Sequence, residues 1–353
     1  MHNGFVINGK PLITYSAGLK RMGRETLAEM DKLVRPGEII VLAPENNEEA
    51  FSNLKNISVI TKESIDRGFW GSRVLKRYAK DTGRRVVNMI APLSVNRHSI
   101  IAIADVRYME KDDTGRFYDG FKFRFKSWLS TIIGLMHADA VVTISEFSKK
   151  RIATFFRYPE ERIIVIPCAW QHYERILADE GIFDRFPQIK KGEYFFTVGT
   201  LAPHKNHRWV YRAAERNPEK TFVICGGIES AIWSDKETTG NRDNLIFTGY
   251  ISDGEMKALM TQAKAFIFPS LYEGFGMPPL EALSIGTECI VSDIPAHRET
   301  FGGAVHYVDP RDSDVDLERI LKEGLTESKE EVLFRYSWES AAVQWMELIR
   351  GIQ

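Results

Sequence analysis

The sequence predicts an α/β protein built from two βαβ domains. Three observations predict it: short strand-like runs alternate with helical patterns, those runs are apolar almost without interruption, and the alternation begins again in the second half of the chain. Strands that are buried on both faces of a parallel sheet have this continuous apolar pattern. A chain of 353 residues is long enough to bury a separate core in each of two domains.

In the first half, five apolar runs predict parallel strands: EIIVLAP, RVVNMIAP, SIIAIADV, DAVVTIS and RIIVIP. The stretches between them have apolar residues at helical spacing, as in GRETLAEMDKLV and SRVLKRYAKDTG. The second half predicts six more strands, again separated by helical patterns: YFFTVG, TFVICGG, NLIFTG, AFIFPS, ECIVSD and AVHYV. The architecture therefore repeats, although the residues themselves do not.

The polar stretch 184–193 separates the two halves, so we expect an N-terminal domain of residues 1–186 and a C-terminal domain of residues 187–337. The final stretch, 338–353, has apolar residues at helical spacing and no strand after it. Ligands of open α/β sheets bind at the carboxyl ends of the strands. Two such domains would therefore place the functional site in the cleft between them.

Composition excludes several functional classes. The formal net charge of −1 at pH 7 gives no general reason to expect nucleic acid as a partner. The three cysteines are far apart and no histidine cluster has metal-ligand spacing, so no metal site is expected. The sequence contains neither a secretion signal nor an apolar run of about 20 residues that could span a bilayer. We expect a cytoplasmic protein that touches, at most, the inner face of a membrane.

The segment EGFGMPPLE has a glutamate at each end of a turn that is rich in glycine and proline. It predicts a loop and a short helix with proline in its first turn. Two interpretations are open: Glu273 and Glu281 hold a ligand beside the helix N-terminus, which suits phosphate, or Glu281 favours the helix start while Glu273 is a solvated loop residue. Because proline cannot donate, the useful backbone donors would be Gly274, Phe275, Gly276 and Met277.

The longer stretch PSLYEGFGMPPLEALSIG closely resembles the glutamate-x7-glutamate segment of retaining glycosyltransferases of family four, the group 1 glycosyltransferases. FTVGTLAPHKNH, NLIFTGYIS, CIVSDIPAHRETFGGAVHYVDP and SWESAAVQWMELI are also similar to that family, so the resemblance covers nearly the whole C-terminal half. It implies the GT-B fold, in which two Rossmann-like domains face each other across a cleft. It also implies that the C-terminal helix, 338–353, packs back on the N-terminal domain.

Roles in donor binding follow from the resemblance. Glu281 would bind the ribose hydroxyls of a nucleotide-sugar donor, and Glu273 would bind hydroxyls of the transferred sugar through charge-assisted hydrogen bonds. Lys205 would neutralise the diphosphate leaving group, although an exposed lysine before a helix is the plainer alternative. The resemblance further implies backbone contacts to the donor from Gly199, Gly249, Tyr250 and Ile251.

Two departures from the family pattern affect these roles. Thr200 stands where the family usually has an arginine, and His204 or Arg208 could supply the missing diphosphate contact. IIAIADVRYME corresponds to a strand that usually ends in histidine-aspartate, but here it ends in Ala104 and Asp105. The missing histidine leaves three interpretations: a 6-deoxy donor sugar, a different positioning group, or loss of activity.

The N-terminal half resembles the family more weakly. SAGLKRMGRETLAEM is similar to a glycine-rich first loop and its following helix, in which Gly18 or Gly23 would approach the donor phosphates, although a plain turn is an equal alternative. Ser145 follows the strand DAVVTIS in the position that the family pattern gives to a cleft residue.

The function implied is transfer of a hexosyl or deoxyhexosyl group from a nucleotide-diphosphate sugar to an acceptor hydroxyl, with retention at the anomeric carbon and without cofactor or metal. The implied acceptor is a glycan or lipid-linked oligosaccharide of bacterial surface-polysaccharide biosynthesis. Two alternatives remain at this point: a catalytically silent module that binds a nucleotide sugar, and a nucleotide-sugar epimerase on the same fold.

Two further patterns have plainer interpretations beside functional ones. Asp312, Asp314 and Asp316 could be metal ligands, but their place before a helix favours capping. In RFYDGFKFRFKSW, basic residues are interleaved with aromatic ones. This pattern predicts either a solvated helix face or a peripheral membrane surface that contacts anionic lipid headgroups.

Overall fold

The computed structural model of the chain describes residues 4–63, 70–93, 96–112, 114–200, 202–226 and 243–352. The chain forms two compact units: unit 1 consists of Met1–Ala169 and Tyr336–Gln353, and unit 2 consists of Trp170–Arg335. The boundary expected at 186/187 thus lies inside unit 2. The reason is local packing, because Lys257 of unit 2 donates hydrogen bonds of 2.8 Å to the carbonyls of Tyr173 and Ile176.

Unit 1 contains a seven-stranded parallel sheet with the order β3-β2-β1-β4-β5-β6-β7. Its strands are β1 Phe5–Asn8, β2 Ile39–Pro44, β3 Ser58–Lys62, β4 Arg85–Asn88, β5 Ser99–Ala102, β6 Ala138–Thr143 and β7 Ile163–Val165. Every residue of β1 and β5 is buried, as expected for a sheet covered on both faces. Two strands were not expected from the sequence, β1 and the half-exposed edge strand β3.

Helices connect the strands of unit 1. They are α1 Pro11–Thr14, α2 Ala17–Met30, α3 Lys76–Thr82, α4 Phe121–His137 and α5 Glu146–Phe156, together with short 3-10 turns and a π-helical turn at Trp70–Leu75. Gly83 ends α3 in the left-handed conformation, with φ of 66°, which glycine adopts without a steric penalty.

Unit 2 contains a six-stranded parallel sheet with the order β10-β9-β8-β11-β12-β13. Its strands are β8 Tyr194–Val198, β9 Thr221–Cys225, β10 Leu245–Gly249, β11 Ala265–Phe268, β12 Cys289–Ser292 and β13 His306–Val308. These coincide with the six runs predicted from the sequence. The described helices are α6 Gly181–Arg185, α7 His207–Arg216, α8 Asp253–Thr261, α9 Met277–Ser284, α10 Pro295–Phe301, α11 Leu317–Ile320 and α12 Lys329–Phe334.

The chain ends in α13, Trp338–Gly351, which returns to unit 1 and packs against α2. Trp338, Trp345 and Ile349 are buried in this contact region of unit 1, while Arg350 forms an ion pair of 2.7 Å with Glu38. The prediction that the terminal helix packs on the N-terminal domain is confirmed, as are the two parallel α/β sheets. Within the described residues, no helix is long and apolar enough to cross a membrane.

Candidate functional site

The carboxyl ends of β8 and β11 lie side by side in unit 2, because these two strands pair in parallel. The loop after β8 carries Lys205, and the loop after β11 carries Glu273. Asn206 joins the loops: its side-chain amide donates to the carbonyls of Pro269, at 2.9 Å, and Pro310, at 2.7 Å. Two segments that are far apart in sequence are thereby fixed at one edge of the sheet, where α/β proteins bind ligands.

Lys205 and Glu273 form an ion pair across these two loops, with 2.7 Å between Nζ and Oε1. Their side chains are 20% and 14% exposed, so the pair is largely screened from water but reachable from one side. The Lys205 ammonium also lies 4.9 Å from the centre of the Phe268 ring, a cation–π distance. The carboxylate of Glu273 and the ammonium of Lys205 are therefore held together at the carboxyl ends of β8 and β11.

The ionisation of Glu273 depends on its partner. Burial raises the pKa of this carboxyl, but the charge and hydrogen bond of Lys205, with smaller contributions from His204 and His297, bring the pKa below its usual value. Glu273 is accordingly a carboxylate at neutral pH, able to accept hydrogen bonds from hydroxyl groups.

His297 lies behind this pair and is fully buried. Its Nδ1 donates to the carbonyl of Ser292 at 2.9 Å, which leaves Nε2 as an acceptor without a hydrogen-bond partner among the described residues. Burial lowers the pKa of His297 to about 4, against the opposing charge of Glu273. The imidazole is therefore neutral at pH 7 and presents a lone pair rather than a charge.

The start of α9 follows Glu273 directly. Gly276 caps this helix in the left-handed region, with φ of 105°, and a side chain there would lie 3.1 Å from Phe301 and 3.3 Å from His297. Thr300 donates to the carbonyl of Phe275 at 2.9 Å and fixes the turn. The helix N-terminus thus stands in a tight turn at Gly276, as the sequence predicted, and Met277 is the one residue among its first three that has a backbone N–H, because Pro278 and Pro279 have none.

Glu281 lies inside α9 and is 3% exposed. Its Oε1 is 2.8 Å from Nε2 of His172, which is equally buried. Because a carboxylate oxygen can only accept, the proton lies on Nε2 of the imidazole. The interaction fixes the orientation of Glu281. The solvated-loop alternative, which concerned Glu273, does not describe that residue either, because its side chain is 14% exposed and paired with Lys205.

Glycines bring the ends of β8, β9 and β10 together. Gly226 donates to the carbonyl of Gly249 at 3.1 Å, and a side chain at Gly226 would come within 2.0 Å of the carbonyl oxygen of Gly199. The neighbouring Thr200 is exposed, and its carbonyl accepts from His207 at 3.1 Å. Beyond Gly249 the side chain of Tyr250 is 82% exposed. Gly199, Gly249, Tyr250 and Ile251 therefore share the carboxyl edge that also carries Lys205.

In unit 1 the candidate residues have a different environment. The expected glycine-rich loop is helical, since both Gly18 and Gly23 lie within α2. A side chain at Gly23 would be 2.3 Å from Leu12 and 3.0 Å from Ile90, so close packing accounts for this glycine. Gly18 is exposed in the first helical turn.

The other candidates of unit 1 lie at the ends of β5 and β6. Ala104 and Asp105 are half-buried, and Oδ1 of Asp105 accepts from the backbone amide of Arg107 at 2.9 Å. Ser145 is buried and caps α5 by accepting from the amide of Ser148 at 3.0 Å. These contacts are structural ones.

The capping interpretation is confirmed for Asp316. Asp316 caps α11 by accepting from the amides of Glu318 and Arg319 at 3.1 Å. Cys168 is buried, and burial raises the pKa of its thiol to about 12, which suppresses the nucleophilic thiolate. Across the described parts of the chain, no group of three or more His, Cys, Asp or Glu side chains has the arrangement of a metal site.

Three partners in the site were not predictable from the sequence: His172, His297 and Asn206. His172 lies 109 positions from Glu281, and no local pattern relates the two. Asn206 was visible only as the neighbour of Lys205, and His297 only as part of the resemblance in CIVSDIPAHRETFGG.

Sequence comparison identifies relatives for much of the chain. Residues 179–336 match the family described as glycosyl transferases group 1. The O-antigen chain mannosyltransferase B of Escherichia coli is 29% identical over 226 residues, which cover 59% of this chain and 59% of the relative. The O-antigen chain mannosyltransferase RfbU of Salmonella typhimurium is 30% identical over 220 residues, or 61% of this chain and 58% of the relative. The chain thus spans less than two thirds of the length of these curated relatives.

The architecture is also found in solved structures. The structure of Anabaena HepE in complex with UDP and glucose has a TM-score of 0.70 against this chain, with 14% sequence identity, and the match covers 99% of this chain and all of the other. At that identity the similarity shows the fold alone.

Proposed function

The chain belongs to the group 1 glycosyl transferases and has their GT-B fold, and from that premise we propose that it transfers a sugar from a nucleotide-diphosphate donor to an acceptor hydroxyl with retention of anomeric configuration. The sugar proposed is mannose, because two relatives at 29% and 30% identity are named mannosyltransferases. The acceptor proposed is a glycan or lipid-linked oligosaccharide of bacterial polysaccharide biosynthesis, in keeping with the O-antigen in both names.

The observation that carries this proposal is the Lys205–Glu273 pair. A nucleotide sugar has hydroxyl groups on one side of its glycosyl–phosphate bond and negative charge on the other. A carboxylate and an ammonium held 2.7 Å apart match those two sides, since carboxylates accept from hydroxyls and lysine binds phosphate as a point charge. The donor would separate or bridge the two groups on binding, with its anomeric carbon beside them.

The chemistry proposed needs no enzymic nucleophile. The acceptor oxygen attacks the anomeric carbon on the face from which the diphosphate departs, the bond between carbon and phosphate oxygen breaks, and the departing diphosphate takes the acceptor's proton. Lys205 and the amides of Gly276 and Met277 stabilise the charge that develops on the diphosphate. Glu273 orients the sugar, so that catalysis comes from positioning and charge stabilisation.

Glu281 is proposed to hold the ribose of the donor. The contact with His172 holds the carboxylate of Glu281 in one position, so its rotational entropy is already lost before a ligand binds. The loops after β8 and β10, with Gly199, Thr200, His204, Gly249, Tyr250 and Ile251, are proposed to contact the diphosphate and the base. UDP is bound in Anabaena HepE, so a nucleoside diphosphate is the first ligand to test.

Unit 1 is proposed to bind the acceptor, with Gly18, Ala104, Asp105 and Ser145 as its candidate residues. Association with the inner face of a membrane and a cytoplasmic location are proposals of the same kind, since a lipid-linked acceptor would lie at that surface. Transfer is also proposed to proceed without a divalent cation, because Lys205 and the start of α9 supply positive charge to the diphosphate. Loss of activity in EDTA with recovery in manganese would contradict this proposal.

Donor turnover tests the proposed function. The full chain is incubated with nucleotide-diphosphate mannose and glucose, and with a mannose-terminated oligosaccharide as acceptor, while release of nucleoside diphosphate and extension of the acceptor are followed. We expect release coupled to extension, with an α-linked product if the donor is an α-linked sugar. Binding of the donor without release would indicate a silent binding module, and a changed sugar on an intact nucleotide would indicate an epimerase.

A further inference from the structure

Helix α4, Phe121–His137, has its apolar side chains on the solvent side. Phe121 and Met136 are each 76% exposed, and Phe125 is 53% exposed. With 3.6 residues per turn, these side chains fall on one side of the helix. We name this side the outward face of α4, which consists of Phe121, Lys122, Phe125, Lys126, Trp128, Leu129 and Met136.

On the side of α4 that packs on unit 1, Leu135 joins the apolar core, and the other contacts come from small or polar residues. Thr131 is fully buried, and its hydroxyl is 2.6 Å from that of Tyr108. A side chain at Gly134 would come within 1.9 Å of the carbonyl oxygen of Pro92. Arg124 donates from Nε to the carbonyl of Tyr108 at 2.9 Å. A rotation of the helix that buried its large apolar side chains would break these contacts. The sequence of α4 therefore fixes the exposure of those side chains.

This arrangement reverses that of an ordinary surface helix, which turns its apolar stripe to the core. The aromatic rings of the outward face also form a row, with 6.3 Å between the ring centres of Phe121 and Phe125 and 6.1 Å between those of Phe125 and Trp128. A contiguous exposed apolar patch of this kind marks a site of interaction with a protein or a membrane.

Charge decides between these partners. The stretch 121–137 contains no aspartate or glutamate, and Lys122 and Lys126 are both exposed on the outward face. A second copy of the chain in two-fold contact through this face would bring those like charges together, because the same patch meets itself in such a dimer. An anionic lipid surface matches both the lysines and the apolar side chains of the outward face. The lysines reach phosphate headgroups, while the aromatic side chains enter the boundary between headgroups and acyl chains.

We propose that the outward face of α4 lies in the interface of an anionic bilayer, parallel to its surface. The row from Phe121 to Met136 is about 22 Å long at 1.5 Å per residue, which provides an extended strip for in-plane insertion. The positive charge belongs to the helix itself, because the segment before it, 110–120, contains two basic residues and four acidic ones. This docking does not depend on the donor chemistry of unit 2.

Cosedimentation of the full chain with vesicles tests the proposal. We expect binding to phosphatidylcholine vesicles that contain phosphatidylglycerol and weak binding to phosphatidylcholine alone. Because each lysine near an anionic surface contributes a factor of about five in affinity, Lys122→Glu with Lys126→Glu should weaken binding at least about 25-fold. Phe121→Ser with Phe125→Ser should weaken it even in low salt, whereas Phe334→Ser, at a side chain 91% exposed in unit 2, should have no effect.

Other outcomes would overturn the proposal. Unchanged vesicle binding in both double variants would show that another surface binds lipid, and failure of the wild-type chain to bind would exclude docking. A concentration-dependent dimer that dissociates in Phe121→Ser with Phe125→Ser would assign the face to a second copy. Circular dichroism of each variant confirms folding. Donor hydrolysis in solution should be equal in wild type and variants, so a failure here is distinct from a failure of the proposed function.

Discussion

The carboxyl ends of the two sheets differ in what their polar residues do. In unit 2, Lys205, Glu273 and Glu281 are charged, largely buried and paired with one another or with His172. In unit 1, the residues expected to share the function serve structure: Gly23 makes room for Leu12, and Ser145 caps α5.

The difference indicates where ligand chemistry is concentrated. Removing charged groups from water is costly, and a buried ion pair is often no more stabilising than apolar residues of the same size. A charged pair on loops at the carboxyl edge of a sheet therefore adds little to stability, whereas its charges are well suited to bind a ligand. Gly23 and Ser145 of unit 1 serve packing and helix capping, so we expect substitutions there to affect stability, and substitutions in unit 2 to affect donor binding and turnover.

The largest effect is expected from Lys205→Met. Loss of the ammonium removes the charge proposed to face the diphosphate, and removal of one preorganised electrostatic group typically lowers kcat on the order of 10²–10³-fold. Lys264→Met is the matched control, because Lys264 forms a lysine–glutamate pair with Glu318 on the surface of the same unit. Equal turnover in wild type and Lys205→Met would show that the pair is structural and would remove the contrast between the units.

The same variant has a pH signature in stability. Against the effect of burial, Lys205 lowers the pKa of Glu273 below its usual value of 4.5, so the pair contributes stability above about pH 4.5 that is lost as the pH falls through the lowered pKa. Without Lys205, burial becomes the dominant influence and raises that pKa, so the carboxylate is destabilised at pH 7 and protonation in acid relieves that cost. We expect the difference in unfolding free energy between wild type and Lys205→Met to be largest near pH 7 and to shrink below pH 4.5. A difference independent of pH in urea titrations would exclude this coupling.

The next effect is expected from Glu281→Ala. Loss of a charge-assisted hydrogen bond should weaken the binding of a nucleoside diphosphate by about 1.5–3 kcal/mol, measured by calorimetry. Glu288→Ala serves as the control, because Glu288 is half-exposed and contacts His306 instead. If Glu281→Ala binds the nucleoside diphosphate as tightly as wild type, the ribose role is wrong and Glu281 serves only to hold His172.

The fold and the site were predictable to different degrees. All strands but two follow from continuous apolar runs. Strand β1 has only four residues, and its burial comes from its neighbours β2 and β4 rather than from its own pattern. Strand β3 is an edge strand in which exposed and half-buried positions replace a continuous apolar run.

In the site, the charged residues were predictable because their motif is local, whereas their partners were not. Glu273, the glycine turn and Glu281 lie within nine consecutive residues. The position of His172 depends on how the 3-10 turn Gln171–Arg175 packs on α9, which is a tertiary property. The packing role of Gly23 was not predictable for the same reason. The sequence shows that this residue lacks a side chain, but not that Leu12 fills the space.

A smaller effect, on stability alone, is expected from Gly23→Ala. The added methyl group would start 2.3 Å from Leu12, and such overpacking typically costs about 1–3 kcal/mol in the free energy of unfolding. Gly18→Ala is the matched control in the same helix, because Gly18 is exposed and alanine favours helix by up to about 1 kcal/mol. Urea unfolding measures both. Loss of donor turnover in Gly18→Ala with intact stability would instead give α2 the phosphate-binding role that the family resemblance implies.

The smallest effect concerns the donor sugar and the alanine that replaces a histidine. Ala104 offers a methyl group, which suits a 6-deoxy sugar, whereas the mannosyltransferase relatives favour a sugar with a 6-hydroxyl. Nε2 of His297 has no hydrogen-bond partner among the described residues although it is fully buried, and a donor hydroxyl that reached it would replace the missing histidine as a polar contact. We therefore expect nucleotide-diphosphate mannose to be preferred over its 6-deoxy counterpart, by about 1–3 kcal/mol in the ratio of kcat/KM if one hydrogen bond distinguishes them. The two donors are assayed in competition at equal concentration, with wild type and His297→Phe. Loss of the preference in His297→Phe assigns the contact to His297. A preference for the 6-deoxy sugar in wild type would instead make Ala104 the determinant and would give unit 1 a direct part in donor choice.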